Sequence, residues 1–307
     1  MPKTLSIIGA GRVGRALGRA LRERGWRIAT VVTRSRATAR AAVRAIGAGT
    51  PGTANTPALA ADVILIAAPD RAIAQIANQI VGAAPSGRPI SAHRRRQPGR
   101  HGGLPLRNKA VLHTSGSLSH EVLAPLRAQG AAIAAMHPMQ TFGRGARTRL
   151  DGVVFGLDGD ARAVRVAQQI VRSLGGIPVR VKPQRKATYH LSGGFAAQHL
   201  LAVLEAGVRI LMDAGLTRRQ STQALASMAH QTIANWQRLG PHQAWTGPVP
   251  RGDFATVAKH MAALRRFPRE YRQAYIALTR LAARMLAPNP RKLLRELDRV
   301  MQSGRKS

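Results

Sequence analysis

A glycine-rich run near the amino terminus carries the clearest chemical signal in the chain. Residues 9–14 read Gly-Ala-Gly-Arg-Val-Gly, which fits the pattern G-x-G-x-x-G. The run follows an apolar strand-like segment and opens a helix-like one, which is the context in which this pattern cradles the pyrophosphate of a dinucleotide. A glycine turn without a ligand is the alternative. The predicted pyrophosphate-binding residues are Gly9, Ala10, Gly11, Arg12, Val13 and Gly14.

The residues that follow the second predicted strand bear on the choice of dinucleotide. An NAD site places a carboxylate there for the ribose hydroxyls, but this chain reads Thr33-Arg34-Ser35-Arg36. Two guanidinium groups and a hydroxyl suit a 2′-phosphate, so Arg34, Ser35 and Arg36 predict NADP(H). The alternative is a pair of solvated arginines. Ala68 and Pro69, just past the central strand, are small enough to leave room for the cofactor.

Polar side chains come directly after two further predicted strands. Ser115 and Ser117 flank a glycine and resemble a cradle for an anion or a carboxamide, with an ordinary turn as the alternative. We count Ser115 among the cofactor-binding candidates. His113 sits inside the strand end and is interpreted as structural. The carboxyl ends of parallel strands border the ligand crevice of such sheets, so these residues should line it.

Three side chains are candidates for proton chemistry at that crevice. His137 follows a strand and could polarise a carbonyl or hold a carboxylate. Lys186 and His190 lie one helical turn apart, and a lysine whose pKa is lowered by desolvation can donate a proton. Structural or solvated roles are the alternatives for all three. No metal site is predicted, because the histidines lack ligand spacing with carboxylates.

Hydrophobic patterning indicates which elements position these residues. Short apolar runs alternate with amphipathic segments, which predicts an α/β fold with a doubly wound, mostly parallel Rossmann sheet. From residue 183 no strand pattern is evident, and the second domain is predicted to be all helical. The predicted domains are 1–182 for nucleotide binding and 183–307 for substrate binding and dimerisation, with a flexible basic loop at 84–109.

The composition is strongly basic, with 48 Lys+Arg against 13 Asp+Glu and a formal net charge of +35. Nucleic-acid binding is one interpretation. Arginine outnumbers lysine greatly and the charge is spread along the chain, so we favour compositional drift with no specific nucleic-acid partner. The chain has no cysteine, shows no signal peptide, and is interpreted as having no apolar stretch of the roughly 18 residues that span a membrane. A cytoplasmic location is expected.

Three motifs, taken with the glycine fingerprint, resemble a bacterial family of oxidoreductases that joins a Rossmann-like domain to a helical domain of uncharacterised function. They are His-Thr-Ser-Gly-Ser at 113–117, Met-His-Pro-Met-Gln-Thr-Phe at 136–142 and Thr-Gly-Pro-Val-Pro-Arg-Gly-Asp at 246–253. The family is similar to pyrroline-carboxylate reductases, deazaflavin-dependent NADP reductases and β-hydroxyacid dehydrogenases. The resemblance implies NAD(P) binding and a homodimer formed through the helical domain.

One position departs from the family pattern. Relatives tend to carry Ser-Asn on the first long helix after Tyr-His, whereas this chain has Ala197-Gln198 after Tyr189-His190. The substitution makes the placement of the amide uncertain if that amide orients a substrate. Three functions therefore stay open. They are an NADP-dependent oxidoreductase of a small carbonyl, imine or hydroxy acid, a non-catalytic NADP(H) sensor or scaffold, and a nucleic-acid-binding protein.

Overall fold

The computed structural model describes residues 4–53, 58–83, 106–145 and 147–303. Within these residues the strands are β1 Thr4–Ile8, β2 Arg27–Val32, β3 Thr50–Gly52, β4 Val63–Ile66, β5 Ala110–His113, β6 Ala132–Pro138, β7 Val154–Gly159 and β8 Ile177–Arg180. The helices between them are α1 Arg12–Glu23, α2 Arg36–Ile46, α3 Asp70–Ala83, α4 Ala124–Ala128 and α5 Ala161–Ser173. The later helices are α6 Lys186–Gly194, α7 Leu200–Asp213, α8 Arg218–Ala244, α9 Phe254–Ala263, α10 Arg269–Leu286 and α11 Pro290–Ser303.

The strands form one sheet in the order β3-β2-β1-β4-β5-β6-β7-β8. Neighbouring strands are parallel except β6 and β7, which run antiparallel with Met136 opposite Leu157. The chain winds outward in one direction from β1 to β3 and in the other from β4 onward. The prediction of a doubly wound, mostly parallel sheet is confirmed, and the strand order reverses beside β1, where such sheets bind dinucleotides.

The sheet is stable because both of its faces are covered. All four residues of β4 are buried, as expected for a central parallel strand. Helix α1 buries Leu17 and Leu21 against the sheet and turns its arginines outward. Each leucine buried in this way contributes roughly 1.5–3 kcal/mol to folding. Because β1, β4 and β5 are parallel neighbours, their carboxyl ends lie side by side at the same end of the sheet.

Two features of the sheet were not predicted. Strand β3 has three residues, including Pro51 and Gly52, which local propensity disfavours in strands. It forms because it can pair along the edge of β2. The antiparallel pairing of β6 with β7 depends on the course of the connection between them, which hydrophobic patterning does not encode. Of the predicted basic loop 84–109, residues 84–105 lie outside the described residues.

Two compact units divide the chain, residues 1–198 and 199–307. The first unit includes α6, because Lys186 contacts Ser115 and Asp158 of the sheet domain. The domain change was expected earlier in the chain, near residue 182, where the strand pattern stops. Between α6 and α7 a five-residue π-helical turn, Phe195–His199, contains the unusual pair Ala197-Gln198.

The second unit is helical throughout its described residues. Thr217 and Gln220 form a capping box at the start of α8, and Asp253 caps α9 by accepting a hydrogen bond from the Thr256 N–H. Helix α8 kinks at Gly240, which has φ +76° and precedes Pro241. Buried residues of α9, α10, α11 and the loop before α9 form a small separate core, which consists of Val249, Val257, Met261, Ala283, Leu297 and Met301.

One helical stretch is long and apolar enough to cross a membrane by length and composition. It runs from Pro183 to Asp213, with a mean hydropathy of 1.4 over its most apolar window, and only 6% of that window is buried. The expectation that no apolar stretch reaches this length is therefore corrected. Gln198 and His199 interrupt the apolar run but lower its mean hydropathy too little to disqualify it. A single such helix is weak evidence for a membrane.

Candidate active site

A cavity of about 930 Å³ opens at the carboxyl ends of β1, β2 and β4, beside the reversal of strand order. This is the crevice in which doubly wound sheets bind nucleotides. Its floor is the glycine turn after β1, and its walls come from the loops after β2 and β4. The lining includes Gly9, Ala10, Gly11, Arg15, Arg34, Ser35, Thr38, Ala67, Ala68 and Pro69.

The three glycines of the turn have separate structural roles. Gly9 has φ +86°, and a Cβ there would lie 2.6 Å from the carbonyl oxygen of Ala67. A Cβ at Gly14 would overlap the carbonyl oxygen of Gly9, so the helix can approach the turn only without a side chain at this position. Gly11 has nothing within 4 Å of such a Cβ. The open space above Gly11, at the amino end of α1, fits a pyrophosphate.

The loop after β2 provides the groups predicted to bind a 2′-phosphate. Ser35 caps α2 by accepting a hydrogen bond from the Thr38 N–H, and its own hydroxyl lies 3.0 Å from the Thr38 hydroxyl. Arg34 and Ser35 line the cavity, whereas Arg36 is exposed and is not among the lining residues. One guanidinium, two hydroxyls and free amides at a helix start are a donor set suited to a phosphate. The residues present therefore fit NADP(H).

Arginines of α1 flank the glycine turn on both sides. Arg15 donates from Nε to the carbonyl oxygen of Ala10 at 2.8 Å, which braces the turn, and it lines the cavity. Arg12 instead lines a second cavity of about 420 Å³, together with Arg15, Arg19 and Arg147. Sequence patterning indicated Arg12 and missed Arg15, although both lie on the first turn of the same helix.

A buried lysine lies at the carboxyl end of β5, next to the strand that borders the cavity. Lys186 is 2% exposed, its Nζ lies 3.3 Å from Asp158 Oδ2, and it donates to the Ser115 carbonyl oxygen at 3.4 Å. Burial lowers the pKa of Lys186, and the Asp158 carboxylate opposes that shift. The lysine is therefore held as an ammonium that gives up a proton more readily than a solvated one.

The turn after β5 is held by its own hydrogen bonds. The Ser115 N–H donates to His113 Nδ1 at 3.2 Å, so His113 Nε2 carries the proton and donates to the Ser119 carbonyl oxygen at 3.1 Å. Burial lowers the pKa of His113 to about 4 and keeps it neutral. Ser115 Oγ accepts from the N–H groups of Ser117 and Leu118. His113 and Ser115 thus shape the turn, and Ser115 is not among the residues lining the cavity.

Three aromatic side chains meet beside this turn. The ring of His137 contacts those of Tyr189 and His190 edge-on, with centroids 5.5 and 5.8 Å away. The Tyr189 hydroxyl lies 3.2 Å from His137 Nδ1 and donates to the His137 carbonyl oxygen at 3.4 Å. A Cβ at Gly116 would come within 3 Å of both imidazoles, so both rings approach the backbone there closely. Burial and the Lys186 charge lower the pKa of His137 to about 4.

The cavity and the side chains around Lys186 both lie at the carboxyl-terminal end of the parallel strands. Strands β4 and β5 are parallel neighbours, with Ile66 opposite His113, so the loops that follow them emerge together. The Ser117 hydroxyl donates to the Asp70 carboxylate at 2.5 Å and ties the two loops to each other. The three predicted proton-transfer residues therefore lie at the same end of the sheet as the cavity. They are His137, Lys186 and His190.

Two buried residues of this cluster were not predicted. Asp158 lies within β7 and is 1% exposed, and His120 lies 2.7 Å from it through Nδ1. A carboxylate inside an otherwise apolar strand, Phe155-Gly-Leu-Asp-Gly, is a signal that sequence inspection could have found, since such groups are rarely buried unpaired. Among the described residues, no group of three His, Asp or Glu side chains could hold a metal ion.

Comparisons with known proteins agree with this geometry. Residues 4–90 match the family described as NADP oxidoreductase coenzyme F420-dependent, and residues 153–282 match a domain of unknown function, DUF2520. No curated protein sequence matches the chain. The N-terminal match covers the glycine turn and the loop after β2, which line the cavity.

Solved structures with the same fold cover nearly the whole chain. The protein BF3122 of Bacteroides fragilis is 20% identical with a TM-score of 0.69, and the match covers 92% of this chain and 98% of that one. An imine reductase from Pseudomonas sp. is 18% identical with a TM-score of 0.63, covering 97% and 100%. A reductive aminase from Aspergillus terreus, in complex with NADPH and ethyl-5-oxohexanoate, is 18% identical with a TM-score of 0.60, covering 92% and 94%.

The N-terminal family match agrees with the cofactor, NADP, and the class, oxidoreductase, that the glycine fingerprint and the loop after β2 predicted. The chain thus carries two family matches, one to the coenzyme F420-dependent NADP oxidoreductase family over residues 4–90 and one to the DUF2520 family over residues 153–282.

Proposed function

We propose that the protein reduces a small carbonyl or imine compound with NADPH, or runs the reverse oxidation of a small hydroxy acid, and that Lys186 supplies the proton. The observation that supports this proposal most is the position of Lys186. The lysine is almost fully buried at the carboxyl end of β5, and the nucleotide cavity opens beside the end of the neighbouring strand β4.

The cavity residues would hold the dinucleotide as in other Rossmann domains. The N–H groups at the start of α1 would bind the pyrophosphate above Gly11, and Arg34 and Ser35 would bind the 2′-phosphate. Ala68 and Pro69 leave room for the nucleotide toward β5. The bound cofactor supplies a hydride to the carbon of the substrate C=O or C=N group.

The protein's own task is then to orient the substrate and to provide one proton. An ammonium has three N–H groups. Among the described residues, Asp158 and the Ser115 carbonyl oxygen engage two of those of Lys186. The third is left for a substrate heteroatom. That N–H would donate as negative charge develops on the substrate oxygen or nitrogen. His137 is neutral near pH 7 and could accept a substrate hydroxyl or N–H, with His190 beside it.

The direct test is NADPH oxidation, followed by absorbance, with 2-methyl-1-pyrroline, glyoxylate and aliphatic aldehydes as probes. We expect at least one probe to be reduced and Lys186→Met to lower kcat about 100-fold, the usual contribution of a positioned proton donor. Lys182→Met is the matched control, because Lys182 is an exposed lysine four residues earlier. NADPH binding with no turnover of any probe would instead favour a non-catalytic NADP(H) sensor.

We further propose that the protein is a homodimer formed through its helical unit. Large apolar side chains of α7, α8 and α10 are exposed to an extent that is unusual for a monomer. They are Leu200, Leu201, Val203, Ile210, Met212, Met228, Ile233, Trp236, Leu239, Leu278, Leu281 and Met285. Light scattering coupled to size-exclusion chromatography should give twice the chain mass of 32.9 kDa. A monomer that stays soluble without detergent would overturn the proposal.

A cytoplasmic location follows from the same proposal. NADPH is a cytoplasmic reductant, and the absence of cysteine from the sequence fits a reducing compartment. Covering the exposed face of α7 with a second subunit would also account for the apolar helical stretch without a membrane. Fractionation of expressing cells should leave the protein in the soluble fraction at high and low salt, and membrane retention at both would contradict this.

A further inference from the structure

A buried proton donor needs a route by which its proton is replaced. Lys186 is 2% exposed, so bulk water does not reach its Nζ freely. Asp158, its ion-pair partner, is 1% exposed and gives no access to water either. If Lys186 gives up one proton in each reduction, as proposed above, that proton has to return through the protein.

A continuous line of titratable groups leads from Lys186 to the surface. Lys186 Nζ lies 3.3 Å from Asp158 Oδ2, and Asp158 Oδ1 lies 2.7 Å from His120 Nδ1. On its far side, His120 Nε2 lies 2.9 Å from Glu121 Oε1. The side chain of Glu121 is 55% exposed, whereas that of His120 is 11% exposed, so the line ends at bulk water.

The two oxygens of Asp158 have different partners, which suits a group that passes a proton onward. Oδ1 accepts from both the backbone N–H of His120 at 2.8 Å and its ring. Oδ2 has no hydrogen bond of good geometry in the described part of the chain and faces only the Lys186 ammonium. A proton that reaches the carboxyl group from His120 can therefore be passed on to Lys186 at Oδ2.

Histidine is the one side chain that can accept a proton at one nitrogen while giving one up at the other. His120 has a carboxylate at each ring nitrogen, so both nitrogens face a proton acceptor. Glu121 is held in place by Arg127, which also binds Asp160. The Arg127 hydrogen bonds lower the pKa of Glu121, so this carboxylate stays ionised and remains an acceptor for His120 Nε2.

The other ionisable groups around Lys186 do not offer such a route. Both ring nitrogens of His113 are engaged by backbone groups of Ser115 and Ser119. Asp70 accepts from Ser117 on the opposite loop. His137, Tyr189 and His190 contact one another on the side where we place the substrate.

We propose that Asp158 and His120 form a proton relay that carries a proton from solvent to Lys186 after each turnover. Lys186 donates one proton to the product heteroatom and becomes a neutral amine. His120 then passes its Nδ1 proton through Asp158 to that amine while its Nε2 takes up a proton from water. The imidazole returns to its starting tautomer before the next turnover. One proton enters from solvent for each proton delivered, and no electrons move in the relay.

The test compares the first turnover with steady-state turnover. His120→Asn keeps one side-chain N–H that can reach Asp158 but cannot pass a proton through. We expect the first reduction to proceed at the wild-type rate, because Lys186 starts out charged, and steady-state kcat to fall about 10-fold or more. The matched control is His242→Asn, since His242 is an exposed histidine whose Nδ1 lies 3.0 Å from the Leu286 carbonyl oxygen.

Added bases provide a second readout that a purely structural histidine would not affect. Imidazole should restore steady-state turnover in His120→Gly, and substituted imidazoles should do so in proportion to their basicity. An unchanged kcat in His120→Asn would overturn the relay. So would an equal loss in the first and later turnovers, since that pattern means a disturbed site rather than slow recharging.

The proposal rests on the reductase function, so one measurement must not depend on turnover. In uniformly ¹⁵N-labelled protein, Lys186→Met should shift the ring nitrogen resonances of His120, because Asp158 loses its ammonium partner and binds the imidazole more strongly. Unchanged resonances would show that the line of groups is uncoupled and would overturn the relay. A shift in a protein that reduces no probe would support the coupling between Lys186, Asp158 and His120 and would reject only the reductase function.

Discussion

The Lys186 ammonium lies 3.3 Å from the Asp158 carboxylate, with both side chains almost fully buried. The two residues come from different elements, α6 and β7, so the pair also fastens the first turn of α6 to the sheet. Two opposite charges in a low-dielectric site depend on each other, because either one alone would be an uncompensated buried charge. The predictions that follow begin with this pair.

Removing one partner of the pair should destabilise the protein strongly. Asp158→Asn leaves the Lys186 charge buried without its counterion, and we expect the free energy of unfolding to fall by about 3–5 kcal/mol. Urea denaturation of wild type and variant at pH 7 measures the difference. The double variant Lys186→Met/Asp158→Asn should recover most of the loss, because it removes the unpaired Lys186 charge and keeps a side-chain oxygen that accepts from the His120 N–H. A loss of stability in the double variant as large as in the single one would contradict the argument.

Arg34 should determine the preference for NADPH over NADH. It lines the nucleotide cavity next to Ser35, so Arg34→Gln should remove one charge-assisted interaction with the 2′-phosphate. Such an interaction is worth about 1.5–3 kcal/mol, which corresponds to roughly a 10- to 150-fold weaker NADPH affinity with little change for NADH. Fluorescence titration of both cofactors gives the two Kd values.

Arg36→Gln is the matched control for that experiment, because Arg36 lies two residues away, is exposed and does not line the cavity. Its NADPH affinity should change by less than a factor of about three, the size expected for a screened surface charge. Equal losses in both variants would mean that the basic charge attracts NADPH in general and that Arg34 has no specific role.

Substitutions at two glycines of the nucleotide turn should have different effects on stability and on NADPH binding. Gly14→Ala puts a methyl group against the Gly9 carbonyl oxygen and should lower the Tm, whereas Gly11→Ala meets open space and should leave the Tm unchanged. Gly11→Ala should still weaken NADPH binding, since its methyl group occupies the space above the amino end of α1. Calorimetry and NADPH titration of the two variants test this, and normal NADPH affinity in Gly11→Ala would place the pyrophosphate elsewhere.

His113 should make the protein less stable in mild acid. Its pKa is about 4 in the folded protein against 6.5 in the unfolded chain, so only the unfolded chain takes up this proton between those values. The contribution of neutral His113 to the free energy of unfolding is complete above pH 6.5. It is lost as the pH falls toward 4, by up to roughly 3 kcal/mol. Urea denaturation from pH 7 to pH 4 should show this loss. His113→Gln should flatten the slope and His242→Asn should not.

Much of the fold follows from local patterning. The alternation of apolar runs and amphipathic helices predicted the sheet. Helices begin within one residue of Thr217, Asp253 and Pro290, and these residue types favour helix starts. The run Val63–Ile66 is wholly apolar because a central strand covered on both faces has no polar side. These features depend on neighbours in sequence, so the sequence contains them directly.

The buried ion pair and its neighbours depend on long-range contacts. Residues 120, 158 and 186 are far apart in the chain and meet only because β7 turns antiparallel to β6 and α6 packs against the sheet. No periodicity links them, so Lys186 was a candidate on its own and its partners Asp158 and His120 were missed. Likewise, two similar arginines, Arg34 and Arg36, differ in the structure because only one lines the cavity.

The amino-acid sequence alone therefore determined the glycine turn, the class of sheet and the helical second part, since each is encoded in spacings of a few residues. Only the tertiary structure decided which polar groups are buried, which of them are paired and which face the cavity. The physical reason is that desolvation and charge pairing depend on what surrounds a side chain in space, and those surroundings come from distant parts of the chain.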